Sequence, residues 1–184
     1  MDQKFSSQLN KFDNSWYSPG AGLIKQIIWY VLNIILFKNS FFPLSGLKVV
    51  ILRLLGAHIG RGVVIKPSVN IKYPWRLRIG NYSWIGENVW IDNLDSVIIG
   101  SNVCISQDAL LLCGNHNYKK ETFDLFTGKI ILEDGVWIGA KSTVCMGVTC
   151  KSHSVLSVGS VATSDLEPFS IYQGNPAQKI KDRI

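Results

Sequence analysis

The 184-residue sequence lacks the features that would indicate a metalloprotein or a membrane-spanning protein. Its four cysteines include no CxxC pair, and its three histidines lie far apart in the chain. Because structural zinc sites draw on closely spaced Cys and His ligands, we expect no metal site. The apolar stretch 27–37 has only 11 residues, whereas a membrane span needs about 20.

A secretory signal and a clustered basic surface are also missing. Residues 1–20 are mostly polar, which favours a cytoplasmic protein with reduced thiols. The formal net charge of +6 favours anionic partners such as phosphates, nucleic acid or an anionic membrane. Because the Lys and Arg residues do not alternate with aromatic residues as on an RNA-binding face, we expect no nucleic-acid partner. Residues 27–37 and 47–55 are interpreted as helices packed on the domain, with weak contact to the inner membrane face as a second interpretation of the first helix.

The sequence instead contains a six-residue repeat. From Ile59 onward an aliphatic residue recurs every six positions, glycine often follows it, and a small or β-branched residue stands four positions after it. The spacing lengthens three times, to eight, eight and 21 residues, and the phase survives each interruption. The series is Ile59, Ile65, Ile71, Ile79, Ile85, Ile91, Ile99, Ile105, Leu111, Leu132, Ile138, Val144, Cys150, Leu156 and Ala162.

A period of six fits a short strand followed by a turn, three of which make one triangular coil. The aliphatic residues would point into the prism, and the glycines would stand where the backbone needs a positive φ or a close approach. Each coil would bury its faces only against neighbouring coils. The sequence therefore predicts an all-β fold, with a parallel β-helix at 57–167 that includes a loop at 114–131. A polar arm and helical segment occupy 1–56, and a C-terminal extension occupies 168–184.

Four stretches resemble the hexapeptide-repeat acyltransferases, and in particular their WcaF-type colanic acid biosynthesis branch. These stretches are LLGAHIGRGVVIKPSVNI, WIGENVWIDNLDSVIIGSNVCISQDALLLCGNHNY, DGVWIGAKSTVCMGVTC and GNPAQKIK. The resemblance implies a left-handed β-helix, although the usual crossover rule favours the right hand. It also implies a homotrimer with active sites between subunits. The implied reaction moves acetyl from acetyl-CoA, without a metal, to a hydroxyl of a sugar in a surface polysaccharide or its precursor.

His116 lies in the longest interruption, GNHNYKKETFDLFTGK, and matches the catalytic histidine of that family. A neutral imidazole can take the proton of a sugar hydroxyl as the hydroxyl attacks the thioester, and can then protonate the departing thiolate. The expected course is direct transfer without an acyl-enzyme, with the backbone at Ala140 as a candidate oxyanion donor. Glu121 and Asp124 either orient His116 or are solvated loop charges.

The same resemblance places CoA along the C-terminal coils. Ala140 and Val158 would offer backbone groups to the pantetheine arm. Thr163 and Ser164 match a Thr-Lys pair near the adenine, and serine in place of lysine weakens the expectation of a charge contact there.

A basic residue near the nucleotide phosphates would come from the chain's C-terminal tail. Lys181 matches the family's position, and Lys179 and Arg183 are alternatives. Cations so placed suit a phosphate and a diphosphate, although all three could instead form a solvated basic tail.

The acceptor would bind near the second interruption, one coil below His116. The candidate residues are Trp90, Asp92, Asn93 and Asn115. Their aromatic faces, carboxamides and carboxylate suit the apolar faces and hydroxyls of a sugar.

Other interpretations stay open at this point. The acceptor could be another small hydroxyl or amine compound, such as serine, an antibiotic or an amino sugar. Cys113, three residues before His116, is a rival nucleophile. A γ-type carbonic anhydrase would need His58, His116 and His153 to converge on zinc, which their places in the repeat oppose. A non-catalytic β-helix would show one repetitive flat face, which the irregular outward positions do not provide.

Overall fold

The computed structural model describes residues 6–184, and its main body is a left-handed parallel β-helix. Each coil contributes three short strands, and equivalent strands of successive coils pair in parallel to form the three sides of a prism. Five coils are complete, and a partial sixth begins at Leu166, which pairs with Cys150. The predicted fold class is confirmed.

The strands fall into three sheets. The first contains β1 (His58–Ile59), β4 (Leu77–Ile79), β7 (Val97–Ile99), β12 (Ile130–Leu132) and β15 (Thr149–Cys150). The second contains β2 (Val64–Ile65), β5 (Trp84–Ile85), β8 (Cys104–Ile105), β13 (Trp137–Ile138) and β16 (Val155–Leu156), followed by β18 (Ser170–Gly174) and β19 (Ala177–Asp182). The third contains β3 (Asn70–Ile71), β6 (Trp90–Asp92), β9 (Leu110–Leu112), β14 (Thr143–Cys145) and β17 (Val161–Ala162).

The prism has three corners, which we number along the chain. Corner 1 joins a strand of the first sheet to the second sheet, corner 2 joins the second sheet to the third, and corner 3 leads from the third sheet to the next coil. All fifteen members of the repeat series, including Cys150, are buried between these sides, each with at most 8% of its surface exposed. The repeat therefore builds one continuous core along the axis of the prism.

The turns at corners 1 and 2 follow one conformation. In all ten of them the residue three positions after the aliphatic one has a positive φ, between 56° and 70°. The glycines that directly follow the aliphatic residues do not occupy these positive-φ positions, so they serve a different purpose. At Gly80 an added Cβ would lie 2.5 Å from the carbonyl carbon of Gly100 in the next coil. Of the two reasons predicted for these glycines, close approach is the one that applies.

All three interruptions of the repeat lie at corner 3. The first contains a short 3-10 helix at Pro74–Arg76, and the second separates β6 from β7. The third, predicted as a loop, forms an antiparallel hairpin of β10 (Gly114–His116) and β11 (Leu125–Thr127). The insertions leave the stacking intact because β12 still pairs with β7 in register.

The N-terminal region contains a 3-10 helix at Leu9–Lys11 and two α-helices, α1 (Leu23–Leu32) and α2 (Ser45–Leu54). A π-helical turn at Asn33–Phe37 continues α1, so this helical segment starts four residues earlier than predicted and ends where predicted. Within residues 6–184, no helix has the length and apolar character needed to cross a membrane.

These helices close the lower end of the prism. In the strands of the first coil, N–H groups bond to carbonyls of the second coil, which leaves carbonyls such as those of Ile59, Lys66 and Ile71 without a partner in the stack. Side chains from the helices supply donors to them. Trp29 Nε1 bonds the carbonyls of Ile71 and Lys72, Lys48 Nζ bonds that of Lys66, and Arg53 bonds those of Ile59 and Gly60. The helices thus protect an edge that would otherwise be open to pairing.

The C-terminal extension covers the opposite end. Strand β18 pairs in parallel with β16, and β19 folds back antiparallel on β18. Arg183 donates hydrogen bonds to the carbonyls of Gly135 and His153, which fastens the end of the chain to the upper coils.

Candidate active site

His116 is the last residue of β10, in the hairpin that projects from corner 3. The hairpin pairs His116 with Leu125 and Asn115 with Phe126. It starts at Gly114, where an added Cβ would lie 2.5 Å from Leu94 Cδ1 of the coil below, so a larger residue would require the Leu94 side chain to move. The side chain of Asn115 is exposed, and its Oδ1 accepts a hydrogen bond from the His116 backbone at 2.8 Å.

The imidazole of His116 is held by two contacts with Phe123. Its Nδ1 lies 2.9 Å from the carbonyl oxygen of Phe123, and the two rings stack at 4.5 Å with an interplanar angle of 5°. A carbonyl oxygen only accepts, so Nδ1 carries the proton in this bond. The neutral ring therefore has its lone pair on Nε2, which is the nitrogen able to act as a base.

The two acidic residues of the hairpin do not orient His116. Glu121 forms an ion pair with Lys11 at 3.0 Å, and Asp124 forms one with Lys120 at 2.9 Å. Of the two interpretations from the sequence, Asp124 fits the solvated loop charge, and Glu121 instead binds the N-terminal arm. The backbone of Phe123 takes the orienting role, which the sequence could not reveal.

The N-terminal arm, residues 8–19, runs along corner 3 and reaches His116. The Gln8 N–H donates to the Glu121 carbonyl at 2.8 Å, and the Gln8 side-chain amide also contacts the Glu121 carboxylate. The Phe12 ring lies 5.6 Å from the His116 ring, tilted by 57°. Further along, Tyr17 Oη donates to the Leu94 carbonyl at 2.9 Å. The sequence predicted a polar arm but not its contact with His116, although the aromatic residues of FDNSWY stand out within that polar stretch.

A cavity of about 470 Å³ lies between α1 and the third sheet, at the side of the prism that leads into corner 3. Trp90 and Asp92, both predicted to bind the acceptor, line this cavity. The Trp90 side chain is 46% exposed, whereas Asp92 is nearly buried and lies 3.2 Å from Lys72 Nζ. Further aromatic walls come from Trp29, Tyr30, Tyr73 and Trp75.

Asn33 adds a polar group to this cavity that the sequence analysis did not single out. It is 8% exposed, and its Nδ2 donates to Asn70 Oδ1 at 2.8 Å. Its own Oδ1 is buried without a hydrogen-bond partner among the described residues. Because buried polar atoms in folded proteins are nearly always paired, this unpaired oxygen marks Asn33 as a candidate polar contact of the cavity. The available signal was that Asn33 is the one polar residue in the apolar run 27–37.

Asn93 has a different position from the other predicted acceptor residues. Its side chain is fully buried, with Oδ1 accepting from the Tyr73 N–H at 2.9 Å and Nδ2 donating to the Tyr73 carbonyl at 2.6 Å. Both ends of the amide are thus used to hold the first interruption in place. We therefore expect a structural contribution from Asn93 and no contact with an acceptor.

Cys113 is unsuited to act as a nucleophile. It is fully buried at the base of the hairpin, and burial raises the pKa of its thiol to about 12. Since the thiolate is the nucleophilic form, almost none is available near neutral pH.

The residues predicted to bind CoA lie on two different corners. Ala140 and Val158 follow β13 and β16, so both lie at corner 2 in adjacent coils. The Ala140 carbonyl accepts from the Gly159 N–H at 2.9 Å, which joins the two turns. Thr163 and Ser164 follow β17 and are exposed at corner 3. One side of the prism, the third sheet, therefore separates Ala140 and Val158 from the corner that carries His116.

The three basic residues of the C-terminal tail have different surroundings. Arg183 bonds the backbone of the upper coils, as described above, and Lys179 pairs with Asp182 at 2.7 Å. Lys181 is exposed in β19, and no ion pair found among residues 6–184 includes it. Lys181 is thus the most accessible of the three for an external phosphate.

The histidines do not converge. His58 lies in β1 of the first coil, while His153 lies in the fifth coil stacked on Phe169 at 4.7 Å. Within the described part of the chain, no group of three or more His, Cys, Asp or Glu side chains could hold a metal ion.

Comparison with known proteins identifies relatives over most of the chain. A putative colanic acid biosynthesis acetyltransferase, WcaF, from Escherichia coli K12 is 33% identical over 165 residues, which cover 90% of this chain and 91% of the relative. The galactoside O-acetyltransferase of the same strain is 28% identical over 129 residues, which cover 68% of this chain and 64% of the relative. No family model matches the sequence.

Solved structures share the fold. A hexapeptide-repeat containing acetyltransferase from Vibrio cholerae superposes with a TM-score of 0.79 at 22% identity, covering 90% of this chain and 95% of its own, and was also solved with acetyl coenzyme A. The WcaF relationship extends along nearly the whole of both chains, from the N-terminal region to the C-terminal coils. The chain therefore belongs to the hexapeptide-repeat acetyltransferases, in their WcaF-type branch.

Proposed function

We propose that this acetyltransferase moves acetyl from acetyl-CoA to a hydroxyl of a sugar, with His116 as general base. The observation that carries the proposal is the Nδ1 hydrogen bond to the Phe123 carbonyl, which leaves Nε2 as the basic nitrogen. Family membership supports acetyl transfer, and related structures contain acetyl coenzyme A or coenzyme A.

The chemistry follows from this tautomer. Nε2 takes the proton of the acceptor hydroxyl as its oxygen forms a bond to the thioester carbonyl carbon. The tetrahedral intermediate then expels the CoA thiolate as the carbon–sulfur bond breaks, and the imidazolium returns the proton to the sulfur. The products are an acetyl ester and free CoA, and His116 ends in its starting state.

The cavity beside Trp90 and Asp92 supports a carbohydrate acceptor. Sugars present apolar ring faces to aromatic side chains and hydroxyl donors to oxygen acceptors. Trp90 offers an accessible aromatic surface, and Asn33 and Asp92 offer buried oxygens. Asn115 is exposed next to His116 and completes the proposed acceptor contacts.

The positions of the predicted CoA residues support a trimer with shared active sites. His116 projects from corner 3, whereas Ala140 and Val158 lie at corner 2 of the same chain. Packing of prisms side by side would bring corner 2 of one subunit towards corner 3 of the next. Each site would then combine His116 of one chain with Ala140 and Val158 of a neighbour, while Thr163, Ser164 and Lys181 extend the CoA surface.

A product assay tests the acceptor. The purified protein would be incubated with acetyl-CoA and a panel of nucleotide sugars, lipid-linked oligosaccharides, serine, amino sugars and chloramphenicol. We expect an acetyl ester on a carbohydrate, detected by mass spectrometry. Chloramphenicol acetyltransferases are also among the relatives, so acetylation of the antibiotic alone would contradict the sugar assignment.

Subunit mixing tests the shared site. Subunits carrying His116→Asn and subunits carrying Val158→Glu would each be inactive alone. Co-expression should restore activity, because some interfaces would then combine an intact His116 with an intact corner 2. Mixed oligomers without any activity would contradict an active site built from two chains.

A further inference from the structure

The outer face of the N-terminal helices is unusually apolar for a protein surface. Thirteen large apolar side chains between residues 23 and 54 are exposed, half of all those found exposed among the described residues. They are Leu23, Ile24, Ile27, Ile28, Tyr30, Val31, Ile34, Ile35, Phe41, Leu44, Leu47, Val50 and Leu54. Isolated exposed apolar residues are ordinary, but a continuous set of this size marks an interaction surface. We call these thirteen residues the apolar face.

Capping the prism does not require this face. Helix α1 already packs inward through Trp29, which is 3% exposed, and its π-helical turn packs through Phe37, which is fully buried. A helix that serves only as a cap would be polar on its outer side. Ile24 and Ile35 lie on that outer side with 77% and 55% exposure. A helix that is apolar all round is expected to be covered on both sides.

The stretch of sequence that contains the apolar face carries charge of one sign. No Asp or Glu occurs from residue 14 to residue 86, a stretch that holds nine of the 19 Lys and Arg residues. Lys38 directly follows the π-helical turn, Arg53 lies near the end of α2, and both are exposed. The remaining parts of the chain hold all 13 acidic residues against ten basic ones. The net positive charge of the protein is therefore carried by the stretch of sequence that contains the apolar face.

We propose that the apolar face binds the surface of a bilayer that contains anionic phospholipids. Apolar side chains would enter the boundary between headgroups and acyl chains, and the flanking cations would meet the phosphates. Binding to another protein would not by itself require a stretch of 73 residues without Asp or Glu. Charge complementarity therefore favours a membrane over a second copy of this chain.

This orientation also explains the position of the acceptor cavity. Ile27, Tyr30 and Ile34 belong to the apolar face and also line the cavity next to Trp90 and Asp92. A bilayer on the apolar face would place the cavity at the membrane surface, where it could take the sugar of a lipid-linked acceptor. This consequence rests on the proposed function, whereas membrane binding itself does not.

Vesicle sedimentation with the full-length protein tests the proposal. Vesicles of phosphatidylcholine would be compared with vesicles that also contain phosphatidylglycerol, at low and high salt. We expect binding to the anionic vesicles that weakens as salt rises, since exposed charges are screened. These measurements need no variant and no catalytic activity, so they are independent of the acceptor assay.

A matched pair of variants locates the surface. Ile24→Glu combined with Phe41→Glu changes two highly exposed residues of the apolar face, and Ile184→Glu makes the same change at the far end of the chain. We expect the double variant to bind vesicles at least about tenfold more weakly than the wild type. Ile184→Glu should bind them as well as the wild type. Circular dichroism and light scattering would verify the fold and the oligomer. Absence of wild-type binding, or equal binding by the double variant, would overturn the proposal. If the wild type does not bind vesicles and the double variant forms a smaller oligomer than the wild type, the apolar face is a contact between copies of this chain.

Discussion

Corners 1 and 2 of the prism turn in the same way in all five coils, whereas corner 3 is lengthened in each of the first three. At the regular corners a positive φ and the close stacking of successive turns leave no room for added residues. At corner 3 the chain can leave the prism and return in register, as β12 does after the hairpin. The difference shows how a rigid repeat can carry a variable element, since the two regular corners keep the stack in phase while the third carries the hairpin with the proposed catalytic His116.

The largest expected effect is a difference in kcat between variants of two histidines that stack on phenylalanine in the same way. His116 at corner 3 stacks on Phe123, and His153 at corner 1 stacks on Phe169, both with interplanar angles of 5°. We expect His116→Asn to lower kcat by about 10²–10⁴-fold because the general base is lost. His153→Asn should keep most of the activity, since Asn tolerates the positive φ of 59° at that position.

Steady-state kinetics with acetyl-CoA and the identified acceptor would measure both histidine variants. Thermal unfolding would verify that each remains folded. Equal losses of kcat in the two variants, with unfolding unchanged, would refute the assignment of the base to the hairpin.

A second prediction concerns the regular corners. Gly80→Ala would place a Cβ 2.5 Å from the Gly100 carbonyl carbon and 2.6 Å from Ser101 N, and neither backbone atom can move without disturbing the next coil. We expect it to lower the free energy of unfolding by about 3 kcal/mol, at the upper end of overpacking effects. Gly46→Ala in α2 meets no atom within 4 Å and should raise stability by up to about 1 kcal/mol.

Chemical denaturation would compare the two glycine variants. A Gly80→Ala protein as stable as the wild type would mean that the coils can separate enough to admit a methyl group.

The sequence was most informative where each residue's role depends on its own repeat position. The core and the places of all three interruptions follow from spacing alone, since every coil repeats the same steric demands. The surroundings of His116 could not be read in this way. Its orienting group is the backbone carbonyl of Phe123, which every residue possesses, and Phe12 reaches it from a distant part of the chain. Asn93 likewise suited a sugar by type, but the fold uses both ends of its amide.

A smaller effect is expected from the arm that crosses corner 3. Phe12→Ala removes the ring packed at 5.6 Å on His116, but leaves the Nδ1 bond to Phe123. We therefore expect the acceptor KM to rise about three- to tenfold with a smaller change in kcat, the pattern of lost ground-state binding. Leu9→Ala, a highly exposed residue of the same arm, is the control. A fall in kcat alone for Phe12→Ala would show that Phe12 positions the base and does not contact the acceptor.

The smallest effect is expected at Cys113, which lies at the base of the same hairpin. Because burial raises the pKa of its thiol to about 12, Cys113 stays protonated and enclosed between pH 7 and pH 9. Iodoacetamide should therefore leave Cys113 of the native protein unmodified, as mapped by peptide mass spectrometry, while urea-unfolded protein reacts. Cys113→Ser should change kcat by less than about twofold, since no step of the proposed reaction uses the sulfur. If a folded Cys113→Ser protein loses activity while the wild type carries an acetyl group on Cys113, that result would contradict direct transfer and indicate an acyl-enzyme at Cys113.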